Sequence, residues 1–380
     1  MGTQRQGPDG IHQRKQTRKT GQNPYEETGA STPCQEAPLG DVLSNYIKFL
    51  LLFAIGVIIS AFIYNTVGIS DTASVLLKVN IPYLTVAVVS YVLLILFWSL
   101  KWNEFIKASG FSVPVRELLT NLTVGMAVNA LTPVAKMGGE PVRAYLLKKR
   151  NGIKIRIGMA TIVADLGIEA INSITLIILS LFLVAFLISP PAWLLISFVF
   201  FSIVSLLLLV SLFGIASSES LAERIILWLS RRIEKINHLK GKITESFKQF
   251  QRTFRRGFRR KDTIIRSFFY GICVKLMDLV RLYMLFLSIG YTIDPIYLII
   301  AMGLSAILLS IPATPGGLGL FEGGMIGAFV LLGVPHNIAA AVVFLERLIT
   351  FWGVIVVGTG LGVYYGVGML EKRNGKFLSR

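Results

Sequence analysis

Long apolar runs separated by short polar joints dominate the pattern along this chain. The plainest runs read "FLLLFAIGVIISAFI", "LTVAVVSYVLLILFWSL", "WLLISFVFFSIVSLLLLVSLFGIA" and "FWGVIVVGTGLGVYYGVGML". A helix needs about 20 consecutive apolar residues to cross a bilayer, so each run predicts a membrane span. The whole pattern predicts an all-α polytopic integral membrane protein with about seven or eight transmembrane helices. Its apolar segments lie near 44–65, 81–101, 157–188, 191–216, 264–289, 296–312, 320–334 and 337–368.

Polar tails flank this apolar region. Residues 1–43 are rich in Gly, Gln, Thr and Pro and lack periodic apolar positions, which predicts a disordered cytoplasmic tail. Residues 44–370 form the predicted transmembrane domain, and residues 371–380 form a second cytoplasmic tail. A mean hydropathy of +0.66 with only 16% charged residues excludes an ordinary soluble domain.

Basic residues set the expected orientation. The formal net charge is +17, and Lys and Arg concentrate at 136–156, at 217–262 and in the C-terminal tail. The joints at 189–191, 290–295 and 313–336 contain neither residue. By the positive-inside rule, the basic segments and both termini are expected on the cytoplasmic side of the cell membrane. Loops that face anionic headgroups account for the charge, so no nucleic-acid partner is expected.

Metal and disulfide chemistry is not indicated. Cys34 and Cys273 are too few for a disulfide framework, and His12, His238 and His336 are scattered along the chain. The sequence therefore predicts no metal site and no cofactor.

The basic loops require two segments to enter the membrane and return. The loops at 102–116 and 136–156 both favour the cytoplasm, so the segment between them does not cross once. A first re-entrant motif is therefore predicted at 117–147. The same rule places a second re-entrant motif at 296–334, entering from the external face. Two oppositely oriented re-entrant hairpins form an inverted repeat, an arrangement that many transporters use.

A short motif recurs in both excursions. Thr132-Pro133 precedes Glu140 at the spacing by which Thr314-Pro315 precedes Glu322. Glycines fill both intervals: Gly138 and Gly139 in the first, Gly316, Gly317 and Gly319 in the second. Broken helices expose backbone N–H and C=O groups that bind ions near the midplane. The motifs therefore predict a shielded polar site, and the alternative is two Gly/Pro-rich loops at the membrane surface.

Ionisable residues within apolar segments extend this candidate site. Asp165 and Glu169 lie one turn apart in "IVADLGIEAI" and should attract a cation, which is a basic side chain, Na⁺ or a proton. In "VKLMDLVRLYM", Asp278 is placed to pair with both Lys275 and Arg281. Each charge costs roughly 2.5–3.5 kcal/mol at the centre of a span, so each needs a partner or a water-filled cavity. Structural pairs between helices, without a ligand, are the alternative.

Two further positions carry charge near the motifs. Arg143 follows Glu140 by one helical turn if the helix resumes at Pro141, where Pro suits the first turn. Its guanidinium could grip a phosphate bidentately, form a salt bridge with Glu140 or anchor at headgroups. In the last apolar segment, Glu346-Arg347 follows Glu322 at the distance that separates Glu140 from Asp165.

The basic insert at 217–262 is amphipathic. Phe247, Phe250, Phe254 and Phe258 recur at helical spacing among Lys and Arg residues. This pattern predicts helices that lie on the inner leaflet and attract anionic headgroups. The alternative is a helical hairpin that packs on the protein itself.

The segments "NALTPVAKMGGEPVRAYLL", "IPATPGGLGLFEGG" and "ERLITFWGVIVVG" resemble the UPF0104 flippase-like membrane proteins. That family shares its fold with the transmembrane region of lysylphosphatidylglycerol synthase. The resemblance covers about 44–370 and implies a multi-pass membrane protein whose best understood relatives move a phospholipid headgroup between leaflets. The motif residues that it implies are Asn129, Pro133, Gly138, Gly139, Glu140, Arg143, Pro315, Gly316, Gly319, Glu322 and Arg347. Relatives often have an acidic–basic pair where this chain has Ala164-Asp165.

The sequence thus predicts translocation of a phospholipid or lipid-linked headgroup, without enzymatic activity. Arg143 and backbone amides would receive phosphate, while Asp165, Glu169 and Glu322 would bind a cationic moiety or a coupling ion; Asp278 and Arg281 complete the set. One alternative is a non-transporting membrane subunit that anchors or regulates a lipid-modifying or glycan-assembly enzyme. Another is a membrane enzyme acting on a polyprenyl-linked sugar. Expected partners are membrane lipids, a lipid-modifying enzyme or a second copy of the chain.

Overall fold

Every regular element in the described part of the chain is helical. The computed structural model describes residues 39–132, 138–187, 240–309 and 314–375, with scattered positions between 196 and 214. Residues 46–380 form one compact unit, and residues 1–45, of which 39–45 are described, form another. The helical architecture agrees with the all-α prediction.

Up to residue 187, the described part of the N-terminal half contains six helices, of which the first two follow each other with a sharp bend. The elements are α1 (Leu39–Val67), α2 (Ile69–Leu76), α3 (Ile81–Ala108), α4 (Val115–Leu131), α5 (Gly139–Asn151) and α6 (Ile155–Leu187). α1 therefore begins within the segment predicted as a tail. The predicted span at 191–216 falls largely outside the described residues.

The described C-terminal half begins within the basic insert. Its elements are α7 (Lys240–Arg259), α8 (Lys261–Ser288), α9 (Pro295–Leu308), a 3₁₀ turn (Pro315–Gly317), α10 (Leu320–Leu331), α11 (His336–Arg347), a π-helical turn (Leu348–Gly353) and α12 (Val354–Gly375). The final segment was predicted as one helix. The structure has one continuous helix here, His336–Tyr365, and the π-helical turn lies inside it, directly after the charged pair Glu346-Arg347.

The helices from α3 to α6 correspond in order to those from α8 to α12. α3 and α8 each have 28 residues, and each ends in a glycine with positive φ, Gly110 at 87° and Gly290 at 77°. At these ends Phe111 N donates to Ile106 O and Tyr291 N donates to Phe286 O. A left-handed residue of this kind commonly terminates helices because glycine adopts positive φ without strain. The first helix of each series therefore has the same length and the same type of C-terminal turn.

Packing between the halves is reciprocal. α3 lies along α8, α4 packs on α12 and α9 packs on α6. A Cβ at Gly358 of α12 would lie 2.5 Å from Ala127 Cβ of α4, and a Cβ at Gly303 of α9 would lie 2.1 Å from Ser180 Oγ of α6. Small residues such as these allow helices to approach closely in a membrane.

Three described helices are long and apolar enough to cross a membrane by themselves. They are Ile81–Ala108, Ile155–Phe186 and the continuous His336–Tyr365. α1 and α2 form a fourth candidate, bent by 90°, if the pair counts as one span. α9 has 14 residues and extends about 21 Å, which is shorter than the hydrocarbon core of about 30 Å.

The phenylalanine stripe of the insert packs on the protein. Phe254 of α7 is 1% exposed and lies in a cluster with Phe105, Ala164 and Ile168. Phe258 contacts the ring of Phe105 at a centroid distance of 5.6 Å. This arrangement matches the alternative interpretation of the insert, because α3 and α6 occupy the apolar face that was expected to meet lipid. Residues 217–239 of the insert lie outside the described residues.

Candidate functional site

The first helix break is bridged by a side chain at its edge. Asn129, in the last turn of α4, accepts a hydrogen bond from Gly139 N at 2.6 Å, the first residue of α5. Its Nδ2 lies 3.2 Å from Glu140 Oε2, to which it donates. One amide side chain thus satisfies both a free helix amide and the motif carboxylate. Pro133 lies outside the described residues.

Glycines allow α5 to lie directly against α4. A Cβ at Gly139 would come 2.0 Å from Gly125 O, and a Cβ at Gly125 would come 2.6 Å from Arg143 Cγ. At Gly138, an added Cβ would meet Thr132 Oγ1 at 2.3 Å. The absence of side chains at these positions leaves a passage for the long side chain of Arg143.

Arg143 reaches from the break to the next helix. It is 1% exposed, and its guanidinium lies 4.1 Å from the ring centre of Trp102. Its Nη1 is 3.8 Å from Glu140 Oε1, and its Nη2 donates to Asp165 Oδ2 at 3.4 Å. Of the roles predicted for Arg143, the ion pair with Glu140 is therefore present, and Asp165 supplies a second carboxylate.

Asp165 and Glu169 share a buried lysine. Lys101 Nζ lies 3.5 Å from Asp165 Oδ1 and donates to Glu169 Oε2 at 2.6 Å, and the Lys101 and Asp165 side chains are 0% exposed. Trp98 Nε1 also donates to Asp165, at 3.1 Å. The cation that the two carboxylates were predicted to attract is thus the basic side chain of Lys101.

Lys275 extends the chain of charges to α8. Its Nζ donates to Glu169 Oε1 at 2.7 Å and to Ser173 Oγ at 3.3 Å. The prediction that Asp278 pairs with both neighbours is wrong for Lys275, because Glu169 on the facing helix lies within reach and Asp278 pairs with Arg281. Lys275 is 23% exposed and Glu169 is 21% exposed, so this end is open.

Six side chains therefore form one continuous set of ion pairs, three acidic and three basic. We call this set the charge network. In order of contact its members are Glu140, Arg143, Asp165, Lys101, Glu169 and Lys275. The network begins at the buried first helix break and ends at a partly exposed pair between α6 and α8.

The second break has a compact arrangement. Glu322 Oε2 accepts a hydrogen bond from Gly319 N at 2.6 Å, which caps its own helix, and Glu322 Oε1 lies 2.8 Å from Arg347 Nε. Arg347 Nη2 donates to Gly317 O at 3.2 Å. Pro315 opens the 3₁₀ turn that Gly316 continues with a φ of 60°. Arg347, the last residue of α11, thus contacts both the motif glutamate and a backbone oxygen of the second break.

A neighbouring triad links α8 to the last long helix. Arg281 pairs with Asp278 and donates to Glu346 Oε1 at 2.9 Å. Thr350 Oγ1 lies 3.3 Å from Glu346 Oε2, to which it donates. The Arg281 guanidinium also lies 5.4 Å from the ring centre of Tyr91. Asp278 and Arg281 therefore belong with Glu346 and not with the charge network.

Sequence reasoning missed Lys101 and Trp98. Lys101 follows directly on the run "LLILFWSL", where a lysine is normally read as the end of a span. The structure continues α3 for seven more residues, to Ala108, and buries Lys101 completely. The signal that could have identified it is the pair Asp165 and Glu169, which demanded a cation from another helix. No group of three potential metal-binding His, Cys, Asp or Glu side chains occurs in the described ranges.

Known proteins resemble this chain over most of its length. Residues 49–358 match the family model described as the lysylphosphatidylglycerol synthase TM region. A UPF0104 membrane protein of Methanothermobacter thermautotrophicus is 30% identical over 334 residues, covering 86% of this chain and 98% of the relative. One from Pyrococcus horikoshii is 29% identical over 343 residues, covering 87% and 98%. All the candidate residues described above lie within the range that the family model matches.

Proposed function

This chain belongs to the family of the lysylphosphatidylglycerol synthase TM region, and we propose that it translocates a phospholipid or lipid-linked headgroup across the cytoplasmic membrane. Under this proposal the protein moves its substrate without chemical conversion, and both termini face the cytoplasm. The acyl or prenyl tail remains in hydrocarbon, so only the polar headgroup needs a path through the protein.

The charge network is the observation that carries this proposal. Under this proposal these six charged side chains lie within the membrane, where each charge costs roughly 2.5–3.5 kcal/mol at the centre of a span. A protein that needed only stability would gain as much from apolar packing, because buried ion pairs seldom improve on it. Such a network is better explained by a ligand that exchanges places with one of its pairs.

The Glu169–Lys275 pair is the proposed exchange point. Its two side chains are the partly exposed members of the network, and Lys275 Nζ lies 2.7 Å from Glu169 Oε1. A headgroup that carries phosphate and an ammonium group presents the complementary charges, with phosphate for Lys275 and ammonium for Glu169. The ligand would replace one hydrogen-bonded ion pair by two, so no charge would be left unpaired.

The duplicated fold supports a pathway. We propose that the α4–α5 and α9–α10 pairs are the two re-entrant hairpins and that they enter from opposite faces. α9 is too short to cross the hydrocarbon core alone. α4 of the first hairpin packs on α12 of the other half, and α9 of the second hairpin packs on α6. Inverted repeats of this kind place a substrate site between the halves and expose it alternately to each face.

A vesicle assay tests the proposal. The protein is reconstituted with trace fluorescent phospholipids, and leaflet exchange is followed by chemical quenching of the outer leaflet. We expect the Glu169→Gln/Lys275→Gln variant to lower the rate of lipid exchange between leaflets by about tenfold or more. The reason is that two charge-assisted hydrogen bonds to the headgroup are lost. Glu104→Gln is the matched control, since Glu104 is buried and paired with Lys107 and Arg266 outside the network.

A single neutralisation separates transport from folding. Lys275→Gln leaves Glu169 paired with the buried Lys101, so its thermal stability should stay close to that of the parent. Its leaflet exchange should still be slow if Lys275 binds the headgroup phosphate. Exchange at the parent rate in this variant would limit the pair to a structural role. Equal exchange by the parent, all variants and protein-free vesicles would remove translocation and favour a membrane subunit that anchors an enzyme.

A further inference from the structure

A basic cavity lies apart from the charge network, at one end of α3. Its volume is about 330 Å³, and it is lined by the turn that ends α3 and by three arginines at the junction of α7 and α8. The lining residues are Ala108, Ser109, Gly110, Arg256, Arg259 and Arg260. We call this cavity the arginine pocket.

Apolar packing on the opposite face of α7 fixes the arginines beside the cavity. Phe254 is 1% exposed, and the ring of Phe258 contacts the ring of Phe105 in a tilted arrangement. Gly257 lets α7 approach α3, since a Cβ there would lie 2.9 Å from Phe105 Cδ1. Because this face is held against α3, the neighbouring Arg256 and Arg259 are held on the side of the cavity and not at random positions.

The three arginines have no acidic partner in the described part of the chain. Arg256, Arg259 and Arg260 are exposed, and no described carboxylate forms an ion pair with any of them. Glu104, on the same stretch of α3, is already paired with Lys107 and Arg266. Like charges gathered around one cavity repel each other, so a bound anion would relieve that repulsion. Guanidinium groups present paired N–H donors that match phosphate oxygens.

We propose that the arginine pocket is a phosphate-binding site, independent of the translocation proposed above. Its position favours a lipid as the source of the phosphate. Ala108 ends a helix that is apolar and long enough to cross the membrane. Beyond Arg260, α8 presents Ile265 at 66% exposure and Phe269 at 60%, where acyl chains can lie. A headgroup phosphate would bind the arginines while its chains cover these side chains.

Binding measurements on the full chain test this site. Native mass spectrometry of the protein in micelles measures binding of phosphatidylglycerol, and calorimetry measures binding of inorganic phosphate. We expect the Arg256→Gln/Arg259→Gln/Arg260→Gln variant to lose affinity for the most tightly bound phosphatidylglycerol molecule by about tenfold or more. The reason is that charge-assisted hydrogen bonds to phosphate are removed. The control is Lys148→Gln/Lys154→Gln/Arg252→Gln, which removes the same charge from exposed positions that do not line the pocket.

Each outcome decides a separate point. If the pocket variant loses phosphatidylglycerol binding and the control variant keeps it, the pocket is a lipid site. If the pocket variant loses binding of inorganic phosphate but keeps binding of phosphatidylglycerol, the ligand is a soluble phosphate. Equal losses in the pocket and control variants would show nonspecific attraction and overturn the proposal, as would no loss in either. The Glu169→Gln/Lys275→Gln variant should retain this binding, so failure of the translocation proposal would leave the pocket unaffected. Matched thermal unfolding of the variants confirms that folding is intact.

Discussion

The break between α4 and α5 and the break between α9 and α10 share one motif spacing but neutralise their glutamates differently. At the second break, Glu322 caps its own helix at Gly319 N and lies against Arg347. At the first, Asn129 caps the helix amide, and Glu140 depends on Asn129 and Arg143. We call the second break closed, because one ion pair neutralises its glutamate. The ion pairs of the first break instead continue into the charge network.

The difference originates at one repeated position. Asp165 follows Glu140 by the same 25 residues by which Arg347 follows Glu322. In the second half this position is basic and directly neutralises the motif glutamate. In the first half it is acidic, so Arg143 and Lys101 are required to balance two carboxylates. The opposite charges at this position thus accompany a closed pair at the second break and a network that reaches α8 at the first.

Loss of Arg347 should give the largest effect, because no second cation forms an ion pair with Glu322 among the described residues. Arg347→Met leaves Glu322, which is 2% exposed, without its charged partner. We expect the free energy of unfolding to fall by about 3–5 kcal/mol, measured by SDS titration in mixed micelles. The Glu322→Gln/Arg347→Met double variant should recover part of that loss. A change as small as that of Arg266→Met, at an exposed arginine, would show that the second break is not closed by this pair.

Loss of Lys101 should cost less, because the network offers other partners. In Lys101→Met, Asp165 keeps Arg143 and Trp98, and Glu169 keeps Lys275. We expect the free energy of unfolding to fall by about 2 kcal/mol in the same titration, since a buried charge loses only part of its hydrogen bonding. Adding Asp165→Asn should reduce the deficit. If Lys101→Met instead cost more than Arg347→Met, the two breaks would not differ in the way described.

The contacts between the halves should give the smallest effects. Gly303→Ala and Gly358→Ala each introduce a methyl group into a tight helix contact, with an expected cost of about 1 kcal/mol in unfolding free energy. Ser180→Ala should recover only part of the cost of Gly303→Ala, because the added methyl group would meet both Ser180 Oγ at 2.1 Å and Ser180 Cβ at 2.4 Å, and alanine keeps the Cβ.

No single truncation should fully relieve Gly358→Ala, because its Cβ would also lie 2.7 Å from the backbone oxygen of Thr123. Gly360→Ala is the control on the same helix, since nothing lies within 4 Å of its added Cβ. Equal costs at Gly358 and Gly360 would contradict the close packing of α12 on α4.

Much of the candidate site was accessible from the sequence. The spacing of Glu140 and Glu322 located both breaks, and the isolated carboxylates Asp165 and Glu169 indicated a missing cation. Lys101 was missed because a lysine after an apolar run usually marks a membrane boundary, whereas α3 continues past it. The pairing of Lys275 was wrong because spacing along one helix gives no information on a facing helix.

The sequence by itself determined the helical membrane class, the duplicated motif and the residues at which helices break. These features depend on local chemistry: apolar length, the glycine and proline content of a segment and the cost of a charge in hydrocarbon. Only the tertiary structure decided which charges meet, since Lys101, Glu169 and Lys275 come from three helices far apart in the chain. It also decided that α7 faces the protein, because an amphipathic stripe records that one face is covered and not what covers it.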